Sequence, residues 1–155
     1  MFNIVLFSPE IPQNTGNIVR TCSVTGSVLH LIRPLGFSIS DRSLKRAGLD
    51  YWDEADVRVY DDFSDFLEKN PDARIFLITT KSDRYYNVFE FRDGDYFVFG
   101  RETSGLPDEI HEMFPERRLR IPMLDKKHAR CLNLSNSVCV ILYEALRQQN
   151  FKNLK

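Results

Sequence analysis

The sequence lacks any segment that would take it into or across a membrane. No apolar run in its 155 residues approaches the roughly 20 residues that a spanning helix needs. The amino terminus has no basic segment followed by a cleavage site, and Phe2–Phe7 predicts a strand instead. We therefore expect a cytoplasmic protein with no membrane partner.

Cysteine and histidine are too scarce and too scattered to predict a disulfide framework or a metal site. The three cysteines are odd in number and no pair has Cys-x-x-Cys spacing, and the three histidines lie far apart in the chain. A chain of this length buries about 68–70% of its unfolded surface, so its core can be stable without either device. The sequence predicts a single domain over residues 1–155.

The standard phosphate-binding and nucleophile motifs are absent too. There is no Gly-x-Gly-x-x-Gly after the first strand, no Gly-x-x-x-x-Gly-Lys-[Ser/Thr] and no Gly-x-Ser-x-Gly. These absences remove the main support for a dinucleotide-binding site, a nucleoside-triphosphate-binding site or an α/β-hydrolase nucleophile.

An excess of positive charge is also missing, because 21 bases and 22 acids leave a net charge of −1. The charges are nevertheless segregated: residues 50–72 contain nine acids against two bases, and residues 117–130 contain six bases against one acid. Two interpretations stay open for the basic stretch. It is either a solvated face or a local patch for an anionic partner.

What the sequence does contain is a regular alternation of apolar runs and helical patterns. It predicts an α/β fold with a mostly parallel sheet and helices on both faces. The predicted strands are Phe2–Phe7, Val28–Ile32, Val57–Tyr60, Arg74–Thr80, Tyr96–Phe99 and Leu119–Ile121. The predicted helices begin near Asn14, Asp41, Asp62, Pro107 and Ser135, and Ser82–Arg92 is predicted as a loop.

Three polar motifs follow strand-like runs: Asn14–Arg20, Gly100–Pro107 and Leu132–Asn136. Each has a structural explanation by itself, since Asn14 or Thr15 can cap a helix, as can Ser135 or Asn136, and glycine and proline form turns. Polar residues at the carboxyl ends of parallel strands also mark the ligand sites of open α/β sheets. Three such motifs in one small domain predict a shared site built from three loops.

Taken with Pro9–Ile18, Pro34–Phe37 and Arg46–Tyr51, these motifs resemble the SPOUT superfamily of trefoil-knotted, S-adenosylmethionine-dependent RNA methyltransferases. The similarity covers nearly the whole chain. It points to the minimal, single-domain group that methylates the ribose 2′-hydroxyl of the tRNA wobble nucleotide (the TrmL or YibK group).

The resemblance implies a deep carboxyl-terminal trefoil knot, S-adenosylmethionine as cofactor and S-adenosylhomocysteine as product. The implied substrate is the wobble cytidine or carboxymethylaminomethyluridine in the anticodon stem-loop, notably of leucine tRNAs. It also implies cofactor contacts, largely through the backbone, at Ile78, Gly100, Ile121 and Cys131. Glycine at position 100 is interpreted as leaving room for a ligand to approach the backbone.

For the chemistry, the resemblance points to Arg20 as the activating residue. A guanidinium is a poor base near neutral pH, so we expect Arg20 to orient an RNA phosphate and lower the pKa of the hydroxyl. Glu102 is the second candidate catalytic residue. The candidate RNA-binding residues are Asn14, Asn17, Ser135, Asn136, Lys126 and Lys127.

The family assembles its site at a two-fold interface, which implies a homodimer. The last predicted helix has an apolar stripe widened by Cys139 and Tyr143, as such a contact would use. Two alternatives stay open: a non-catalytic RNA-binding or S-adenosylmethionine-sensing module on the same fold, and a flavodoxin- or receiver-like domain suggested by Asp61 and Asp62.

Overall fold

The computed structural model describes residues 1–39, 51–52, 54–124, 131–152 and 154–155. The helix predicted over Arg42–Ala47 lies outside the described residues, and so do Lys126 and Lys127. In the described parts of the chain, no helix is long and apolar enough to cross a membrane.

Six parallel strands form one sheet in the order β3-β2-β1-β5-β4-β6. The strands are β1 Asn3–Phe7, β2 Val28–Ile32, β3 Val57–Tyr60, β4 Ile75–Ile78, β5 Tyr96–Phe99 and β6 Arg118–Leu119. The helices are α1 Pro12–Thr25, α2 Phe63–Lys69, α3 Asp108–Met113 and α4 Leu134–Gln148, with 3₁₀ turns at Tyr86–Val88 and Pro115–Arg117. The chain order reverses between β1 and β5, and a crevice at such a point is where open α/β sheets bind ligands.

Alternation along the central strands creates one apolar core on each face of the sheet. Ile4 and Leu6 of β1 pack with α1 and α4, whereas Val5 between them packs with α2 and α3. The predicted stripe of α4 is buried in the first core: Val138, Ile141, Leu142, Ala145 and Leu146. The predicted α/β sheet with helices on both faces is therefore confirmed.

Strand predictions were the more accurate ones, because continuous apolar runs mark buried parallel strands. The bounds of β2, β3 and β5 agree with the prediction, while β4 is shorter at both ends, and β6 begins one residue earlier and ends two residues earlier. The segment 82–92 is a loop that contains the 3₁₀ turn at Tyr86–Val88, as predicted in the main.

Three helix starts were predicted wrongly. Helix α1 begins at Pro12 without a side-chain cap, because Asn14 lies inside its first turn and makes tertiary hydrogen bonds instead. Helix α4 is capped by Asn133, whose Oδ1 accepts from Ser135 N at 2.9 Å, so neither Ser135 nor Asn136 is the cap. Pro107 is the residue before α3 rather than its first residue.

At the amino ends of the strands, Arg74 and Asp95 form a bidentate ion pair. Arg74 Nε and Nη2 donate to the two carboxylate oxygens at 2.6 and 2.7 Å. The Asp95 side chain is 2% exposed and also accepts from the Arg92 backbone N–H at 2.7 Å. This pair ties the chain before β4 to the chain before β5.

Beside that pair, a fully buried histidine sits in a closed hydrogen-bond chain. Because Asn3 uses its amide nitrogen on the Gly94 carbonyl, its Oδ1 accepts from His30 Nε2 at 3.1 Å. His30 Nδ1 therefore accepts from the Tyr60 hydroxyl at 2.9 Å. Burial lowers the pKa of His30 to about 4, so the ring is neutral at physiological pH.

Candidate active site

The three polar motifs meet at the carboxyl ends of β1 and β5, and Glu102 joins the first two. Its carboxylate accepts hydrogen bonds from the Glu10 N–H at 2.9 Å, the Ile11 N–H at 3.1 Å and Asn14 Nδ2 at 3.2 Å. One carboxylate thus holds the loop after β1 and the first turn of α1. Negative charge at a helix amino terminus is also electrostatically favourable.

A second carboxylate makes the reciprocal contact. Glu10, in the loop after β1, accepts from the Thr103 N–H at 3.1 Å and from the Thr103 hydroxyl at 2.9 Å. The backbone of Glu10 is itself confined by Gly36, since a Cβ at position 36 would lie 2.7 Å from Glu10 Cα. The loops after β1 and β5 are therefore held together by hydrogen bonds to one carboxylate from each loop.

The third motif joins this network through two asparagines. Asn133 Nδ2 donates to Asn14 Oδ1 at 2.9 Å, while Asn133 Oδ1 accepts from the backbone and hydroxyl of Ser135. Asn133 thereby caps α4 and links it to α1 at the same time. The predicted convergence of three loops is confirmed, with Asn14 as the residue common to both links.

Beside this network lies a cavity of about 430 Å³, within the usual range for small-molecule sites. All four residues expected to contact a cofactor line it: Ile78, Gly100, Ile121 and Cys131. Its walls combine apolar side chains such as Phe99 and Leu106 with the polar groups of the three loops. A mixed apolar and polar wall of this kind suits a nucleoside-containing cofactor.

Gly100 has a structural reason that differs from the predicted one. The loop 101–105 closes on itself through paired backbone hydrogen bonds between Arg101 and Gly105. It folds back over Gly100, so a Cβ there would lie 2.2 Å from the carbonyl carbon of Gly105 and 2.4 Å from Leu106 N. Packing within the chain is therefore sufficient to require glycine at position 100. The predicted approach of a ligand to this residue stays a prediction.

On the β4 side, the cavity wall contains a threonine and a buried histidine. Thr79 Oγ1 lies 2.9 Å from His111 Nε2 and accepts from the Lys81 N–H at 3.1 Å. His111 is 4% exposed, and its Nδ1 lies 3.0 Å from the Pro107 carbonyl oxygen. Lys81 Nζ pairs with Asp108 at 2.7 Å, which lowers the pKa of that carboxyl.

The candidate catalytic arginine lies elsewhere. Arg20 is exposed on α1, and its guanidinium stacks 4.9 Å from the ring centroid of Tyr51. Asn17 is exposed one turn earlier on the helix, and Asn136 is exposed on α4, whereas Ser135 is buried against Asn133. None of these four residues lines the cavity.

The residues of the site that the sequence analysis missed include Glu10, Thr103 and Asn133. Glu10 and Asn133 stand inside the quoted motifs, but their partners are 93 and 119 residues away, and no local spacing indicates such contacts. Cys22 belongs to the core rather than the site, since burial raises the pKa of its thiol to about 12. Within the described ranges, no three histidine, cysteine or acidic residues cluster closely enough to hold a metal ion.

The parallel α/β sheet and the loop-lined cavity at its carboxyl edge place this chain in the class of open α/β domains that bind small molecules. The particular family follows from comparison. The chain belongs to the SpoU rRNA Methylase family, whose model matches residues 1–143, and the resemblance to SPOUT methyltransferases is confirmed.

Individual proteins are similar over nearly the full length. A tRNA (cytidine(34)-2′-O)-methyltransferase of Methylovorus glucosotrophus is 51% identical, over 97% of each chain. A solved structure concerning 2-OH methylation of C/U34 on tRNA is 46% identical with a TM-score of 0.91, over 98% of each chain. The AviRb methyltransferase of Streptomyces viridochromogenes, in complex with AdoMet, has a TM-score of 0.82 at 21% identity. It covers 99% of this chain and 58% of its own, a likeness in fold.

Proposed function

We propose that this protein transfers a methyl group from S-adenosylmethionine to the ribose 2′-hydroxyl of nucleotide 34 of a tRNA, with cytidine as the base. The observation that carries the proposal is the junction of three motif loops, through Glu102, Asn14 and Asn133, beside a cavity of cofactor size. The full-length similarity to a named tRNA (cytidine(34)-2′-O)-methyltransferase supports the choice of substrate.

The cavity is the proposed cofactor site, with Ile78, Gly100, Ile121 and Cys131 in contact with the ligand. When bound, S-adenosylmethionine supplies an electrophilic sulfonium methyl group. Because the electrophile needs no further activation, the protein's task is to position the ribose and help its hydroxyl lose a proton. The proposal includes the deep trefoil knot of the family.

Arg20 is the proposed activating residue, and it acts as a cation rather than as a base. Its guanidinium can bind an RNA phosphate in a bidentate way and stabilise the alkoxide that develops on the ribose. Glu102 is proposed to position rather than to react, because its carboxylate already accepts three hydrogen bonds from the loop after β1 and α1.

A homodimer is part of the proposal. Arg20 and Asn17 do not line the cavity of their own chain, so a site that uses them needs RNA or a second copy to bridge the distance. Helices α1 and α4 are adjacent, with Thr21 Oγ1 3.6 Å from Cys139 Sγ, and each exposes an apolar side chain, Val24 and Tyr143. An isologous contact would bury both. Light scattering at micromolar concentration is expected to give the mass of two chains.

Methyl transfer from labelled S-adenosylmethionine to bulk tRNA tests the function, with mass spectrometry to find the modified nucleotide. We expect 2′-O-methylcytidine at position 34. The same spectra reveal whether carboxymethylaminomethyluridine and leucine tRNAs are substrates. Cofactor and tRNA binding without any methyl transfer would contradict the proposal in favour of a binding or sensing module.

Arg20→Ala is expected to lower the rate of transfer about 100-fold or more, the usual contribution of a group that moves or stabilises a proton. Cofactor affinity should be unchanged, since Arg20 lies outside the cavity lining. Arg58→Ala is the matched control, because Arg58 is exposed on β3 and pairs locally with Asp56. Arg20→Ala turnover equal to that of Arg58→Ala would remove Arg20 from the mechanism.

The basic stretch 117–130 is the proposed tRNA contact. Each lost phosphate contact should flatten the plot of log affinity against log salt by about 0.7–0.9. Joint replacement Lys126→Ala and Lys127→Ala should thus weaken tRNA binding and its salt dependence while cofactor affinity is kept. Equal salt slopes in the double variant and the wild type would identify the stretch as solvated surface.

A further inference from the structure

The hydrogen bonds around Thr79 determine which way its hydroxyl proton points. A neutral imidazole has one N–H donor and one acceptor nitrogen. The Pro107 carbonyl oxygen, 3.0 Å from His111 Nδ1, can only accept, so Nδ1 carries the ring proton. Nε2 is then the acceptor, and the Thr79 hydroxyl donates to it at 2.9 Å.

With its proton directed to His111, the Thr79 oxygen faces other groups as an acceptor. One of its two acceptor positions is taken by the Lys81 N–H at 3.1 Å. The second acceptor position has no partner among the described residues, and Thr79 lines the cavity together with His111. A hydroxyl alone can rotate to donate or accept, but this one is fixed by a histidine that is 4% exposed.

We infer that Thr79, oriented by His111, selects a hydrogen-bond donor of the nucleoside part of the cofactor. The inference rests on the proposed function. The donors available on such a nucleoside are the 6-amino group of adenine and the two ribose hydroxyls.

Calorimetry with S-adenosylhomocysteine and three analogues tests the assignment. The analogues lack one donor each: hypoxanthine replaces adenine, or the 2′- or 3′-hydroxyl is absent. Thr79→Val, which keeps the shape and removes the acceptor, should weaken S-adenosylhomocysteine binding about five- to tenfold, the size of one neutral hydrogen bond. Thr79→Ser should restore most of it.

The decisive measurement is whether the effect of Thr79→Val on binding affinity depends on which donor the ligand lacks. For the analogue that lacks the partner donor, wild type and Thr79→Val should bind with equal affinity, while the other two analogues keep the five- to tenfold difference. His111→Gln should show a reduced coupling, because the hydroxyl proton is then free to turn. Ser64→Ala is the control, since Ser64 is exposed on α2 and does not line the cavity, and it should change no affinity.

A purely structural Thr79–His111 contact would give a different pattern. Thr79→Val would then weaken the binding of all four ligands by the same factor, or would weaken the binding of none. Either result overturns the inference. Thermal unfolding of each variant, measured without ligand, separates loss of fold from loss of the contact. Failure of the wild type to bind S-adenosylhomocysteine would overturn the proposed function as well, which distinguishes the two failures.

Discussion

The amino ends of the strands and their carboxyl ends both contain buried or half-buried carboxylates, but the carboxylates at the two ends have different structural roles. Asp95 is paired with Arg74 and closed off from solvent, and the neighbouring His30 has a partner on each ring nitrogen. Within the described part of the chain, Glu10 and Glu102 form no ion pair and accept hydrogen bonds from backbone N–H groups and polar side chains of each other's loops. The first arrangement fixes the sheet, and the second aligns loops around a cavity.

This difference predicts which property a substitution changes at each end of the sheet. The polar cluster at the amino ends of the strands stabilises the fold, because removing one side chain leaves buried polar groups without that hydrogen-bond partner. A cluster built from loop backbone holds geometry at the site, where small displacements affect reactivity more than stability. Mutations at the two ends should therefore separate stability from activity.

The largest expected loss of stability comes from Asp95→Ala. It leaves the Arg92 N–H without its acceptor and the Arg74 guanidinium with only the Glu90 carbonyl, and breaking a largely buried pair costs about 3–4 kcal/mol. Urea unfolding measures the loss. Asp61→Ala is the control, because the Arg33–Asp61 pair is exposed and should cost less than about 1 kcal/mol. Equal losses in the two variants would contradict the contrast between the ends.

The next effect is acid destabilisation through His30. Its pKa is about 4 in the folded protein against 6.5 when unfolded, so the unfolded chain takes up the proton first as pH falls. The contribution is fully present above pH 6.5 and declines between pH 6.5 and 4, by about 3 kcal/mol in total. Unfolding free energies across this range measure it. His30→Gln should flatten the decline, and an unchanged slope would assign it to other groups.

Gly100→Ala should cost about 2 kcal/mol or more, because the new Cβ meets the backbone of Gly105 and Leu106 rather than a flexible side chain. It should weaken S-adenosylhomocysteine binding together with stability. Gly26→Ala is the control: its φ of +65° gives strain but the space is open, so about 1–2 kcal/mol is expected without loss of binding. A stable Gly100→Ala protein would contradict the packing explanation.

The smallest expected loss of stability is that of Glu102→Gln, about 1 kcal/mol, since an amide keeps one accepting oxygen. Methyl transfer should fall more than cofactor affinity, because the loop after β1 and α1 shifts while the cavity persists. Steady-state kinetics and calorimetry measure the two effects. Glu116→Gln, at an exposed pair with Arg84, is the control. A parallel fall in both quantities would indicate that Glu102 shapes the cofactor site itself.

The fold was predictable to the extent that local patterns determine it. Apolar runs located β2, β3 and β5, and the stripe of α4 located its buried face. The caps were not predictable, because Asn14 is chemically suited to cap a helix and is instead used by Glu102 and Asn133, far away in sequence. The packing reason for Gly100 was not predictable either, since the 101–105 loop that folds over it is a tertiary feature.

The hydrogen bond between Asn14 and Asn133 spans 119 residues of chain, and this has a consequence for biosynthesis. Contacts between distant segments require closure of a long loop and form late in folding. A nascent chain can build β1, α1 and β2 early, but the cavity wall at residues 131–134 does not exist until that part of the chain has been synthesised. A nascent chain that has not yet been synthesised through Asn133 therefore lacks the closed cavity at the junction of the three loops.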